Sequence, residues 1–184
     1  ETTTGPLAQG LGNAVGMAIA EKMLKVQFGA DLVDHKTYVL AGDGCLMEGL
    51  SHEAISLAGH LKLNNLVVLF DDNNISIDGG TDLSVSDNQL ERFKASHWDV
   101  MAIDGHNFAE IEAALTKAQQ ATKPILIACK TNIAQGAPHK AGTSAAHGSP
   151  LGEEEIKATR DNLGWNAPPF VIPEPVLLSW RQVG

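Results

Sequence analysis

Thr37-Tyr38-Val39-Leu40-Ala41-Gly42-Asp43-Gly44 and Leu66-Val67-Val68-Leu69-Phe70-Asp71-Asp72-Asn73-Asn74 decide the fold. Each is a short apolar run that stops abruptly at polar residues. Neither run alternates apolar with polar, so each predicts a strand buried on both faces, as in a parallel sheet covered by helices. Working outward, Val100–Ile103 and Ile125–Cys129 repeat the pattern, with Pro124 opening the second. Between the strands lie helical stretches. Pro6–Phe28 carries Leu7, Leu11, Val15, Ile19 and Met23 every fourth residue, with Gly12 and Gly16 on an adjoining line. Glycines inside a helix cost about 1 kcal/mol each relative to Ala, so a close approach of another helix or backbone is expected there. His52–Leu61 reads as a helix with Ala54, Leu57, Ala58 and Leu61 inward. Asn107 with Glu110 gives a capping-box-like start to a helix that turns Phe108, Ile111, Leu115 and Ala118 to one side. Glu153–Leu163 is a last helix, with three acids in its first turn and Gly164 at its end. The expected fold is α/β: three layers, with a mainly parallel twisted sheet between helices.

Composition narrows the function. The chain has 184 residues, is 43% hydrophobic and carries 13 Lys and Arg against 22 Asp and Glu, a formal charge of -9. An acidic surface is a poor footprint for nucleic acid or an anionic membrane, and no apolar run is long enough to cross a bilayer. Cys45 and Cys129 do not make a disulfide framework, which points to a reducing, cytoplasmic setting. The chain starts Glu1-Thr2-Thr3-Thr4-Gly5-Pro6 without Met or signal peptide and ends Ser179-Trp180-Arg181-Gln182-Val183-Gly184. Both ends read as cuts through a longer polypeptide. Residues 131–152 form a long Gly-, Ala-, Ser- and His-containing loop, the kind that is functional or mobile. Asn166–Val176 holds four prolines and reads as an extended linker.

In open parallel sheets ligands sit outside the carboxyl ends of the strands. Two of those ends are unusual: Gly42-Asp43-Gly44, and Asp71-Asp72-Asn73-Asn74, with 28 residues between Gly44 and Asn73. If the strands are neighbours, Asp43 and Asn73 face one point. A carboxylate and an amide carbonyl are hard oxygen ligands for Mg²⁺ or Ca²⁺. Gly44 lets a diphosphate approach the backbone at a helix start. On its own, Gly-Asp-Gly is simply a tight turn; the second strand end makes that the weaker reading.

The pairing is the thiamine diphosphate signature. Glu1-Thr2-Thr3-Thr4-Gly5-Pro6-Leu7, Gly42–Gly49, Asp71–Gly79, Lys140-Ala141-Gly142-Thr143 and His147-Gly148-Ser149-Pro150-Leu151 together resemble the transketolase family. The likeness runs in order from Glu1 to about Trp180. It implies a thiamine diphosphate-binding fold, with residues 1–165 as the diphosphate- and metal-binding domain and 166–184 as a linker toward a pyrimidine-binding domain. It implies ketol transfer of a two-carbon unit from a ketose phosphate to an aldose phosphate, with thiamine diphosphate and Mg (or Ca). Sugar phosphates and a second subunit of a homodimer are the implied partners. Asp43, Asn73 and the Ile75 carbonyl would hold the metal. Gly44 and Asn73 would touch the diphosphate, Gly5, Pro6 and Leu7 would line the cofactor, and Ile77 and Ile133 would contact its rings. His147 would be catalytic, meeting the diphosphate and the incoming sugar. Glu48 and Glu53 match acids near the family's dimer interface, and a solvated helix face is an equal reading of them.

The sequence departs from the family in two places: Ser144 stands where many relatives have a second His, and Ile133-Ala134-Gln135-Gly136 replaces Ile-Gly-aromatic-Gly. Another thiamine enzyme, such as deoxyxylulose phosphate synthase or an E1-type subunit, shares the metal signature. A non-catalytic split subunit is a further alternative. A nicotinamide-binding domain is discarded, because no Gly-x-Gly-x-x-Gly turn follows the first strand. His35, His52, His60, His97, His106 and His139 have no ligand spacing and read as structural or exposed. Asp71 and Asp72 read as hydrogen-bonding residues at a strand end.

Overall fold

The structure is a computed structural model that describes residues 2–183; Glu1 of the opening motif and the final Gly184 lie outside the described residues. The chain alternates helix and strand: α1 (Gln9–Phe28), β1 (Thr37–Gly42), α2 (Asp43–Met47), α3 (Gly49–His60) and β2 (Leu66–Asp72). A small antiparallel hairpin follows, β3 (Ile75–Ser76) with β4 (Gly79–Gly80). Then come α4 (Gln89–Ala95), β5 (Asp99–Asp104), α5 (Phe108–Gln119), β6 (Ile125–Lys130), α6 (Glu153–Leu163) and α7 (Glu174–Val183). The main sheet has four strands in the order β1-β2-β6-β5, and every pair is parallel.

The apolar runs account for this order. Leu66, Val67, Val68 and Phe70 of β2 and Ile125–Ala128 of β6 are buried, as the continuous pattern requires of central strands. One face of the sheet packs on α1, α3 and α4 through a cluster that includes Leu11, Val15, Ile55, Leu66, Val68 and Phe93. The other face packs on α5, where Ala114 and Ala118 meet Val67, Ile125 and Ile127. These are the three expected layers. Phe93 stands edge-on to Trp98 with ring centroids 4.9 Å apart, and the Trp98 indole N–H donates to the Ile55 carbonyl at 2.8 Å. Gly59 makes this junction possible, because a Cβ there would lie 1.7 Å from the Ser96 carbonyl oxygen. β1 is an outer strand. On its face away from α1, Tyr38 and Leu40 are exposed, Leu40 by 84%.

Several helix faces differ from the sequence reading. α1 begins at Gln9, and its buried line is Leu11, Ala14, Val15, Ala18 and Glu21. Leu7 and Met23 are exposed. A row of every fourth residue winds around a helix of 3.6 residues per turn, so its two ends leave the core. Gly12 does face another helix, with Leu50 in van der Waals reach, whereas Gly16 faces open space. In α3 the inward residues are Ser51, Ala54, Ile55, Ala58 and Gly59, while Leu57 and Leu61 are exposed. Phe108 is exposed on α5.

The tail is not wholly extended, since α7 covers Glu174–Val183. Pro173 and Pro175 fall at the helix start, where a missing N–H removes no helical bond. No residue of α7 is buried. α4 and the β3–β4 hairpin are absent from the sequence reading. The signal for α4 was present: Asn88 caps it by accepting the Glu91 N–H. α6 ends as expected, with Gly164 in the left-handed region at φ 64°.

Candidate functional site

The register places the two polar strand ends side by side. Gly42, the last residue of β1, pairs with Asp71 of β2. Asp43 then opens α2 directly, and Asn73 and Asn74 leave β2. Asn74 sits at φ 59°, a conformation Asn tolerates better than most residues, and there the chain turns back into β3. The backbone N–H groups of Asn74 and Asn73 face the Asp43 carboxylate. Its Oδ2 is buried without a hydrogen-bond partner. Burial pushes the Asp43 carboxyl up to about 6; the negative charges of Asp72 and Asp71 add to the rise, and the two N–H groups oppose it.

Asn73 is fixed by its neighbours. Its Oδ1 accepts the Ile75 N–H at 2.9 Å and its Nδ2 donates to Asp71 Oδ2 at 3.0 Å. Asp71 also accepts from the Thr131 hydroxyl, and Asp72 pairs with Lys130 at 3.4 Å. Both acids therefore have the hydrogen-bonding role read from the sequence. Asp43, Asn73 and Ile75 thus come from one small neighbourhood. Among the described residues no three His, Cys, Asp or Glu side chains gather as a metal-binding group. A set built from one carboxylate, one amide and one backbone carbonyl is of a different kind. The residues fit a cation in one respect above others: a buried carboxylate oxygen without a donor lacks a positive partner.

The cofactor residues lie on several segments of the chain. Leu7 reaches Gly44, with its Cδ1 3.5 Å from where a Gly44 Cβ would stand. Gly5 and Pro6 precede it in an exposed turn. Ile77 is exposed at the hairpin tip between β3 and β4. Ile133 is half-buried, and its carbonyl accepts the Gly142 N–H at 2.9 Å. His147 is exposed and ends a short 3-10 turn, its N–H bonded to the Ser144 carbonyl at 2.9 Å. No hydrogen bond among the described residues ties its ring to the Asp43 group. Glu48 lies between α2 and α3 and Glu53 on α3; both are exposed.

Residues 131–152 are held at points the sequence reading did not single out. His106 Nε2 accepts the Asn132 N–H at 2.9 Å. Glu155, buried in the first turn of α6, accepts the His139 and Lys140 N–H groups at 2.8 and 3.0 Å, and its other oxygen lies 2.9 Å from His139 Nδ1. The His139 hydrogen bonds, the Lys140 N–H and the His139 charge hold the Glu155 carboxyl below its ordinary value against the opposing effect of burial. Asn162 Nδ2 donates to the Gly136 carbonyl at 2.9 Å. From sequence, Glu155 is one of three first-turn acids, and nothing local separates it from Glu153 and Glu154.

A parallel α/β sheet with Gly-Asp-Gly and Asn-Asn at neighbouring strand ends defines a thiamine diphosphate-binding domain. The family model described as "Transketolase, thiamine diphosphate binding domain" matches residues 1–183. The chain belongs to the transketolase family. It is 57% identical over 183 residues to a transketolase of Sinorhizobium medicae, covering 100% of this chain and 26% of that protein. Transketolase 1 of Escherichia coli is 54% identical over 185 residues, covering 98% and 28%. The chain thus spans about a quarter of the length of the curated relatives it matches. Among solved structures, the transketolase of Campylobacter jejuni aligns with a TM-score of 0.93 at 47% identity, covering 96% of this chain and 28% of the other. A Pichia stipitis transketolase in complex with sedoheptulose 7-phosphate aligns at 0.92 and 40% identity, covering 98% and 28%.

Proposed function

We propose that this chain is the diphosphate- and metal-anchoring part of a transketolase that transfers a two-carbon ketol unit from a ketose phosphate to an aldose phosphate, and that it is inactive alone. The observation that carries the reading is Asp43: a buried, unpartnered carboxylate oxygen beside Asn73 at adjoining parallel strand ends. Asp43, Asn73 Oδ1 and the Ile75 carbonyl would hold Mg²⁺, or Ca²⁺, through hard oxygen atoms. Gly44 and Asn73 would meet the diphosphate, Gly44 because it has no side chain to block the approach. Gly5, Pro6 and Leu7 would line the cofactor, and Leu7 already lies against Gly44. Ile77 and Ile133 would supply apolar contacts to its rings.

When bound, thiamine diphosphate supplies the electron sink for breaking and making the carbon–carbon bond. The protein's part is to bind and orient. His147 would hydrogen-bond the diphosphate and the incoming sugar, stabilising charge that develops during transfer. The second subunit of a homodimer would complete the site, with Glu48 and Glu53 near that boundary. A cytoplasmic setting agrees with two free cysteines. No helix among the described residues is long and apolar enough to cross a membrane.

Two assays test this. Calorimetry should detect Mg²⁺-dependent binding of thiamine diphosphate to the 184-residue chain, abolished by Asp43→Ala. A ketol-transfer assay should show turnover by the full-length polypeptide and none by this chain. Turnover by the chain alone would overturn the divided site, and no turnover by the full-length polypeptide would overturn the transketolase reading.

A further inference from the structure

The segment that carries His147 is closed at its base by a side chain. Lys140 Nζ donates to the Leu151 carbonyl at 2.8 Å, so residues 141–150 form a lobe with a neck. The near side of that neck is itself pinned. Glu155 accepts the backbone N–H groups of His139 and Lys140, and these bonds to a carboxylate are of the stronger, charge-assisted kind. The Thr143 hydroxyl donates to the Lys140 carbonyl at 2.8 Å, and the Gly142 N–H donates to the Ile133 carbonyl. Glu155 belongs to α6, so the neck is fixed to a rigid element.

Within the lobe the fastenings are few. The Ala146 N–H bonds to the Thr143 carbonyl and the His147 N–H to the Ser144 carbonyl. Among the described residues no further hydrogen bond holds residues 144–150. The position of His147 therefore depends on where the neck holds the two limbs. Opening the Lys140–Leu151 bond would free one limb and restore the conformational entropy that closure removes.

We infer that Lys140 and Glu155 are positioning residues for His147: together they set the neck of its lobe and so the place of its ring relative to the strand-end cluster. The inference rests on the transketolase reading of His147. Lys140 acts by its ammonium on the Leu151 carbonyl, and Glu155 acts by its carboxylate on the His139–Lys140 backbone. Neither needs to touch the substrate. Lys140 is the cleaner probe, because its tie spans no part of the core and Lys140→Met keeps the aliphatic stem.

The test has a kinetic arm and an exchange arm. In the full-length polypeptide, Lys140→Met should lower kcat about fivefold, the effect of losing one hydrogen bond. The same change in a His147→Ala background should alter kcat less than about twofold, because the residue being positioned is gone. Glu155→Gln, which keeps one acceptor oxygen, should retain more activity than Glu155→Ala. In the 184-residue chain, Lys140→Met should speed amide exchange at Ala146 and His147 and leave the amides of β2 and β6 unchanged. Equal loss of kcat with and without His147, or an unchanged kcat in the single variant, would overturn the positioning role. Unchanged exchange at Ala146 and His147 would overturn the neck itself. A wild-type polypeptide without ketol transfer would instead remove the reading of function, and the exchange arm would still decide whether the neck holds the lobe.

Discussion

Replacing Asp43 by Asn should make the metal-free chain more stable at neutral pH. In the structure this carboxyl is half-buried, one oxygen has no partner, and Asp72 and Asp71 stand nearby. Its rise from 3.8 to about 6 is equivalent to about 3 kcal/mol against the charged form at full weight. Solvent and salt reach a half-buried group, so about 1–2 kcal/mol is the expected surviving effect. The sign follows from proton binding. Between the unfolded and folded values the folded chain holds more protons, so this group lowers stability as pH rises through that window. Above about 6 the full cost is present, and below about 4 it is gone. Urea denaturation in a chelator should therefore show Asp43→Asn more stable than the parent by about 1–2 kcal/mol at pH 7.5, with little difference near pH 3.5. Adding Mg²⁺ and thiamine diphosphate should reverse the order, because only the parent keeps its anionic ligand. A variant no more stable than the parent in chelator at pH 7.5 would refute the reasoning.

In the full-length polypeptide, His147→Ala should reduce kcat by about 10²–10⁴ and leave thiamine diphosphate affinity nearly unchanged; steady-state kinetics at saturating cofactor will check this. Gly59→Ala should destabilise the chain by about 3 kcal/mol or more, since its Cβ would meet backbone, and thermal unfolding reports it. Trp98→Phe should cost about 1 kcal/mol, the loss of one buried hydrogen bond to an Ile55 carbonyl that stays within α3, again read by denaturation. The Glu155 carboxyl is held low, so its contribution is present above its unfolded value and is lost as pH falls through the folded one. Amide protection at His139 and Lys140, taken as the exchange rate relative to that of an unstructured amide at the same pH, should therefore fall on acidification before that of the strand amides.

The sheet was legible because β2 and β6 are buried on both faces, which leaves an unbroken apolar run in the sequence. The strand-end cluster was legible for a related reason. Asp43 and Asn73 each interrupt such a run, and parallel pairing aligns the interruptions, as the Gly42–Asp71 register shows. Helix faces were harder. Leu57, Leu61, Met23 and Phe108 are apolar yet exposed, so apolar spacing alone pointed the wrong way. α7 was hidden by its prolines, which mark a helix start as readily as a linker. The anchors at His106, His139 and Glu155 were out of reach, because each joins residues brought together only by the tertiary fold: Asn132 to His106, and the His139–Lys140 turn to α6. The roles given to Ile77, Ile133 and His147 came from family likeness; the three lie on different segments of the chain, the β3–β4 tip, the start of residues 131–152 and the end of the 3-10 turn.

The outer strand β1 sets a practical limit of a different kind. Its residues Thr37–Gly42 include no charge and no proline, and Leu40 stands almost fully in water. Strands in this position usually carry such guards against pairing with another chain. The opposite border is better protected, since β5 begins and ends with Asp99 and Asp104 and Asp99 lies 3.8 Å from Lys123. For the isolated chain, concentration should therefore matter as much as temperature. Dilute samples should stay dispersed while concentrated ones grow by edge-to-edge addition, and light scattering should show that growth slowed by a lysine in place of Leu40.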